Sequence, residues 1–391
     1  MERRFWKIIM MFAVLIASSI VLTACSDSDH DGGVPEVRDE QANNDDNPSE
    51  GDNSVLPQVG PEMLTLYNFT LSVNDTDPFL TLLQPIPESE GDRSLQIRTS
   101  SDNPITGTYD TQTRQVTFSE GTTFRAVMSN FWGETADFSI LVEEPIMFQD
   151  GLPGAQDDFP TQGAFTLFYD GNRVNVAFVD NEGTVGANMN RNGGETVFYA
   201  FSDLEDLLDE NIYPWQQKVC LAYFVFEGLA EQTIFAARST DTINARANAL
   251  KESGSVSFDC GTFPADSTEE ASRTLTWLDS NGDGEVATGD DFRWDFVQCW
   301  DNDEAGLIDD LVDGQVDLAG FVKETEQRDG VDIMTRFGFG PEGENTGGVI
   351  FTDLVHTEIE EEAEGTFTPE PRRSFTLNGG YAIFFTEPPS L

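Results

Sequence analysis

Along most of the chain apolar and polar positions alternate, the period of a strand with one buried face. "MLTLYNFTLSV", from Met63, carries this pattern. "ITGTYDTQTRQVTF" predicts strand, polar turn and strand. In "AFTLFYDGNRVNVAFV" the pair Asp170-Gly171 is a two-residue turn signal, and Val174, Val176 and Phe178 alternate with Asn175 and Ala177, which predicts a hairpin. "NRNGGETVFYAF" adds a glycine turn and a further strand. The period changes between about 206 and 254. There Pro214 is placed to open a helix at its first turn. Ile243, Ala247 and Leu250 share one face of a second helix, with Gly254 at the position of a C-cap. "VCLAYFVFEGL", inside this segment, fits a buried strand as well as a helix. Strand-like runs return at Ser255 with "GSVSFDC", "RTLTWLD", "DDFRWDFVQC" and "GQVDLAGFV". The last run, "FTLNGGYAIFF", predicts a hairpin turning at Asn378-Gly379.

These elements predict a mainly β protein with a smaller helical segment (α+β), its antiparallel sheets sandwich-like or barrel-like. A sandwich is the expectation, and a lipocalin-like barrel around an apolar ligand is the alternative. The 391 residues suffice for two or three domains. The pattern divides them into 1–24, a tether at 25–60, a β-rich domain at 61–205, a helical segment at 206–254 and a second β-rich domain at 255–391. The formal net charge of -50 comes from 71 acidic against 21 basic residues, with Lys7, Lys218, Lys251 and Lys323 the four lysines. Such a surface repels nucleic acid and anionic lipid head groups and favours cations.

The N-terminus changes the picture. "MERRFWKIIMMFAVLIASSIVLTACS" joins a basic start to an apolar run from Ile8 to Leu22 that is short for a membrane span. Leu22-Thr23-Ala24-Cys25 resembles a bacterial lipobox. The resemblance implies cleavage before Cys25, acylation of Cys25 and, with Ser26 rather than Asp following, transport to the outer membrane. Several acyl chains on one Cys anchor firmly, at about 0.8 kcal/mol per buried methylene. Ser26 to about Gln58 is acidic and almost free of large apolar residues, the composition of a disordered tether. His30 lies in it.

"WLDSNGDGEVATGDDFRW" places five acidic side chains and an Asn within thirteen residues, where mutual repulsion opposes a folded turn. Asp279, Asn281 and Asp283 are spaced two apart and Gly284 follows, the core of an EF-hand calcium loop. A tightly turning backbone aims alternate side chains at one point, and the glycine permits the bend. In the loop frame Glu285 supplies its backbone carbonyl, Val286 takes the apolar eighth position, and Ala287 leaves the ninth to water. Asp290 stands at the twelfth, where EF-hands carry Glu and dockerin repeats carry Asp. Dockerins have two such loops and this chain has one, which argues against a cohesin partner. Phe292, Trp294 and Phe296 alternate with Arg293 and Asp295, so the loop is placed at the tip of a β-hairpin rather than between helices. The segment from Ser255 to Phe321 resembles a module of uncharacterised bacterial envelope proteins, a resemblance that implies no activity. One structural calcium ion is expected, held with a dissociation constant of order 10⁻⁴–10⁻³ M.

Beyond Cys25 the chain has Cys220, Cys260 and Cys299. In the oxidising envelope one disulfide is expected, and three single bridges are possible. Cys260–Cys299 is favoured, because both close strands that bracket the calcium hairpin; it would contribute roughly 4 kcal/mol in the chain-entropy picture. Cys220 is then a buried thiol. The one His after the tether is His356, and no nucleophile elbow, P-loop, dinucleotide fingerprint or H-E-x-x-H occurs. Five tryptophans (Trp132, Trp215, Trp277, Trp294, Trp300) are available for cores or a sugar-stacking face. The expectation is therefore a lipid-anchored, calcium-stabilised lipoprotein of the outer membrane that binds or scaffolds, with an envelope protein or glycan as partner. A carbohydrate-binding or carboxylate-dependent glycan-degrading protein is one alternative, and a lipid-carrying barrel another.

Overall fold

A computed structural model describes residues 66–388, apart from 73–79, 85–92, 100–101, 114, 132–133, 150–159, 161, 182, 201–213, 259–271, 303–308, 329, 342–346 and 364–365. The lipobox with Cys25, the tether with His30, Trp132 and Cys260 lie outside the described residues. The first run of strands is β1 (Leu66–Ser72), β2 (Leu80–Gln84), β3 (Arg93–Arg98), β4 (Ile105–Asp110), β5 (Gln115–Phe118) and β6 (Thr123–Phe131). It continues with β7 (Glu134–Glu144), β8 (Ile146–Gln149), β9 (Ala164–Tyr169), β10 (Asn172–Asn181), β11 (Thr184–Arg191) and β12 (Val197–Ala200). One helix, α1 (Pro214–Ser253), separates these from β13 (Ser255–Phe258), β14 (Ser272–Leu278), β15 (Asp291–Asn302) and β16 (Asp309–Ala319). The chain ends in β17 (Phe321–Arg328), β18 (Val331–Phe339), β19 (Gly348–Ala363) and β20 (Thr366–Thr386).

Among the described residues all pairings are antiparallel and fall into two sheets that share β20. The smaller runs β17–β18–β20–β1–β4–β5–β8. The larger runs β12–β11–β10–β9–β7–β6–β3–β2–β20–β19–β16–β15–β14–β13. The expected mainly β, sandwich-like architecture is present. The Asp170-Gly171 hairpin is β9–β10, with Asp170 at φ 46° and Gly171 at φ 74°, the two positive angles of a type I′ turn.

The C-terminal hairpin is a correction. Asn378-Gly379 does not turn the chain back, because β20 runs on as a single strand of 21 residues. Up to Tyr381 it pairs with β19, and from Ala382 with β1. Gly379, at φ 122°, lies just before that change of partner, so the glycine bends a strand from one sheet into the other. The Asn378 Oδ1 accepts the Asp353 amide at 3.0 Å instead of closing its own turn.

The segment expected as two helices is one continuous helix, α1, lying between the sheets. Phe226 meets Phe118 of β5 and Phe148 of β8 in the smaller sheet, and Phe124 of β6 and Phe165 of β9 in the larger, at centroid distances of 5.1–6.4 Å. "VCLAYFVFEGL" was ambiguous for this reason. Ala222, Phe226, Leu229, Thr233 and Ala236 line one side of the helix and Val219, Tyr223, Ala230, Ile234 and Ala237 another, yet all are buried. A helix buried on every side shows no 3.6-residue alternation. Four of its interior polar residues, Gln232, Ser239, Thr233 and Thr240, are paired. Tyr381 donates to the Gln232 carbonyl and Oε1 at 3.0 Å each, Trp294 Nε1 to Ser239 Oγ at 3.2 Å, and the Thr233 and Thr240 hydroxyls to carbonyls one turn back. Gly254, at φ 75°, closes the helix as expected, its amide donating to the Leu250 carbonyl at 2.7 Å. No helix of the described residues is long and apolar enough to cross a membrane.

Candidate cation-binding loop

β14 and β15 form the expected hairpin, in register from Ser272↔Val297 to Leu278↔Asp291. The acidic loop is therefore carried on strands. Leu275, Phe292 and Trp294 face inward from this hairpin and fix its seat on the core. At the tip the side chains satisfy the turning backbone. Asp279 Oδ1 accepts the amides of Gly282 at 2.7 Å and Asp283 at 3.2 Å, and its Oδ2 accepts that of Gly284 at 3.0 Å. Asn281 Oδ1 accepts the Asp283 amide at 2.9 Å, and Asp283 Oδ1 accepts that of Glu285 at 2.7 Å. These turns need the left-handed backbone of Gly284, at φ 74°.

The base of the loop is built differently. Asp290 is 0% exposed. Its Oδ2 accepts the Trp277 indole N–H at 2.9 Å and the Ala287 amide at 3.0 Å, while Oδ1 is buried without a hydrogen-bond partner. The base is also tied to the start of β17. Gly289 donates to the Phe321 carbonyl and Phe321 to the Asp290 carbonyl, at 2.8 and 2.9 Å. Thr288 exchanges hydrogen bonds with the Lys323 backbone at 3.0 and 2.9 Å. Asp291 accepts from Ser280 Oγ at 2.8 Å and the Gly320 amide at 2.7 Å. Lys251, in the last turn of α1, pairs with Glu285 at 2.9 Å.

Of the expected ligand set, Asp279, Asn281, Asp283 and Glu285 thus sit at an exposed tip, and Asp290 lies buried beneath it. Among the described residues no group of three or more His, Cys, Asp or Glu side chains is gathered closely enough to hold a metal ion. The donor chemistry nevertheless suits a hard cation, since carboxylate and amide oxygens on a loop are what calcium takes. Asp290 Oδ1, buried without a hydrogen-bond partner, is the oxygen that such an ion would satisfy. A buried carboxylate oxygen without a donor is costly, and a cation relieves that cost.

The partners of Asp290 were not foreseen from sequence. The available signal was the W-x-D spacing ahead of the loop: a half-buried indole needs an acceptor, and the acids of the loop are the nearest supply. Cys299 is buried in β15 and disulfide-bonded. His356 is in β19, opposite Val312 and Phe375. The chain matches no protein-family model and no curated protein.

Proposed function

We propose that this is an outer-membrane lipoprotein, anchored through acylated Cys25, whose β-rich body binds or scaffolds and is stabilised by one calcium ion at the 279–290 loop. The anchor rests on the N-terminal sequence. The calcium reading rests on one observation above the others: at the twelfth loop position Asp290 is wholly buried with Oδ1 unpartnered. Asp279, Asn281, Asp283 and the Glu285 carbonyl would complete the oxygen set. The ion's contribution is neutralisation of charge at one bend, with no reaction routed through it. Helix α1 occupies the space between the sheets, which speaks against the lipid-carrying alternative. The carbohydrate-binding alternative has one observation in its favour, the exposed Phe168 ring in an open groove on the larger sheet.

The test is a thermal melt with calcium and with chelator on wild type and on Asp279→Ala plus Asp283→Ala. At a hundredfold excess of calcium over its dissociation constant the wild type gains about 2.7 kcal/mol. The double variant gains nothing. An identical wild-type melting temperature in calcium and chelator would falsify the calcium reading.

A further inference from the structure

The outer face of the larger sheet carries an aromatic ring where a solvated strand face calls for a polar side chain. Phe168 is 41% exposed, and among the described residues it is the one aromatic ring among the exposed large apolar side chains. It alternates out of a strand whose Phe165, Leu167 and Tyr169 are buried. A lone exposed apolar residue is ordinary. This one lies in an open groove of about 600 Å³ that crosses β6, β7, β9 and β10.

The groove is polar on both flanks and held in place. Register sets Arg125 opposite Ser139, Ser139 opposite Phe168, and Phe168 opposite Arg173, in one row across four strands. Arg125 binds Asp137 with its Nε, at 2.7 Å, and with its Nη2. That fork holds the Asp137 carboxyl below the ordinary carboxylate range. Arg173 is fixed by Asn175 Oδ1 at 2.7 Å and by Glu143 at 3.4 Å. Asn172 Oδ1 is clamped by Arg191 and Asn192 at 3.0 Å each. Neither Arg125 nor Arg173 spends its Nη1 on a protein partner among the described residues. Two pre-oriented donor groups thus flank an apolar ring.

The chemistry narrows the ligand. Each guanidinium is paired with a carboxylate and Asp170 adds one further acid to the lining, so the groove holds no excess positive charge within a chain of net charge -50. An anion meets repulsion from the whole body and no unpaired cation here, and a cation meets one lone carboxylate, Asp170 at the hairpin turn, too few ligands to hold it. A peptide that adds by strand pairing needs a sheet edge, whereas these four strands each have neighbours on both sides. A neutral pyranose presents an apolar C–H face and a rim of hydroxyls, which matches a ring flanked by fixed donors and acceptors. The volume lies in the range of small-ligand sites. Its openness suits the interior of a glycan chain better than an enclosed end.

We propose that this groove binds a neutral polysaccharide, with Phe168 stacking on one sugar ring and Arg125, Asp137, Ser139 and Arg173 bonding its hydroxyls. The inference rests on the binding-protein reading and is independent of the calcium loop. The experiment is native electrophoresis of the full chain in gels containing xylan, galactomannan or hydroxyethylcellulose, with alginate as the anionic comparison. At least one neutral polymer slows the protein. Phe168→Ala, at an exposed position, weakens that retardation about tenfold with an unchanged melting temperature, and Phe168→Tyr preserves it. Retardation that survives Phe168→Ala overturns the groove while leaving a binding protein. Retardation by alginate alone, or by no polymer, overturns the groove as a neutral-glycan site.

Discussion

The two ends of α1 obey different rules within one continuous helix. From Val219 to Thr240 its described side chains are buried on every side but for the half-covered Glu231 and Arg238, with both sheets closed around Phe226. From Asp241 onward Ile243 and Leu250 stay buried while Asp241, Arg246, Asn248 and Ala249 are exposed. The last turns behave as an ordinary surface helix with one apolar stripe. The first half is a core layer that happens to be helical. Helical periodicity therefore reports how a helix is covered, and it vanishes where cover is complete.

The widest gap between the two ends should come from truncating the enclosed one. Phe226→Ala removes the ring on which four others converge, and the site cannot close on itself because two sheets hold its walls apart. A loss of about 4 kcal/mol is expected in denaturant titration. A loss below about 1 kcal/mol would mean that the sheets do not clasp the helix as described.

At the far end the effect is smaller and comes from the backbone. Gly254 adopts φ 75° with open space around it, so Gly254→Ala costs strain rather than a clash. About 1 kcal/mol is expected, measured in the same titration. A neutral result would place the helix terminus elsewhere.

An effect of similar size, confined to one side of a pH window, lies at the boundary. Asp241 is reached by solvent, yet protein crowds it, and this desolvation pushes its carboxyl up from 3.8 to about 6. Tyr67 of β1 feels the same charge: its phenol is raised first by burial, then by Asp241 and Glu387. The sign follows from proton binding. With a folded pKa above the unfolded one, the native state holds more protons between these values, so stability falls as pH rises from about 3.8 to about 6 and stays lower above. Asp241→Asn removes the charged form and should gain about 1 kcal/mol at pH 7–8, discounted for solvent access, and nothing near pH 3. Equal stabilities of the two proteins across that range would show that Asp241 is fully solvated.

Much of the molecule was legible because local rules were obeyed. The β9–β10 hairpin could be read because Asp170-Gly171 sits between alternating runs. The acidic loop could be placed on strands because Phe292, Trp294 and Phe296 are spaced by two, and all three are buried. Asn378-Gly379 misled because the same dipeptide that permits a hairpin also permits a bend within a strand, and only the partners on either side decide between them. Asp290 was assigned by its position in the loop. Its burial and its indole partner depend on β17 closing over the loop base, a contact more than thirty residues away that leaves no local signal.

By itself the sequence determined the strand periodicity, the loop chemistry and the stop of the helix at Gly254, since each depends on neighbours within a few residues. Tertiary structure alone decided that one helix would be wrapped by two sheets, that β20 would belong to both, and that Arg125, Phe168 and Arg173 would share a groove. Those outcomes depend on which strands pair. Pairing is chosen by the sum of many distant contacts, each too weak to leave a mark on the segment that makes it.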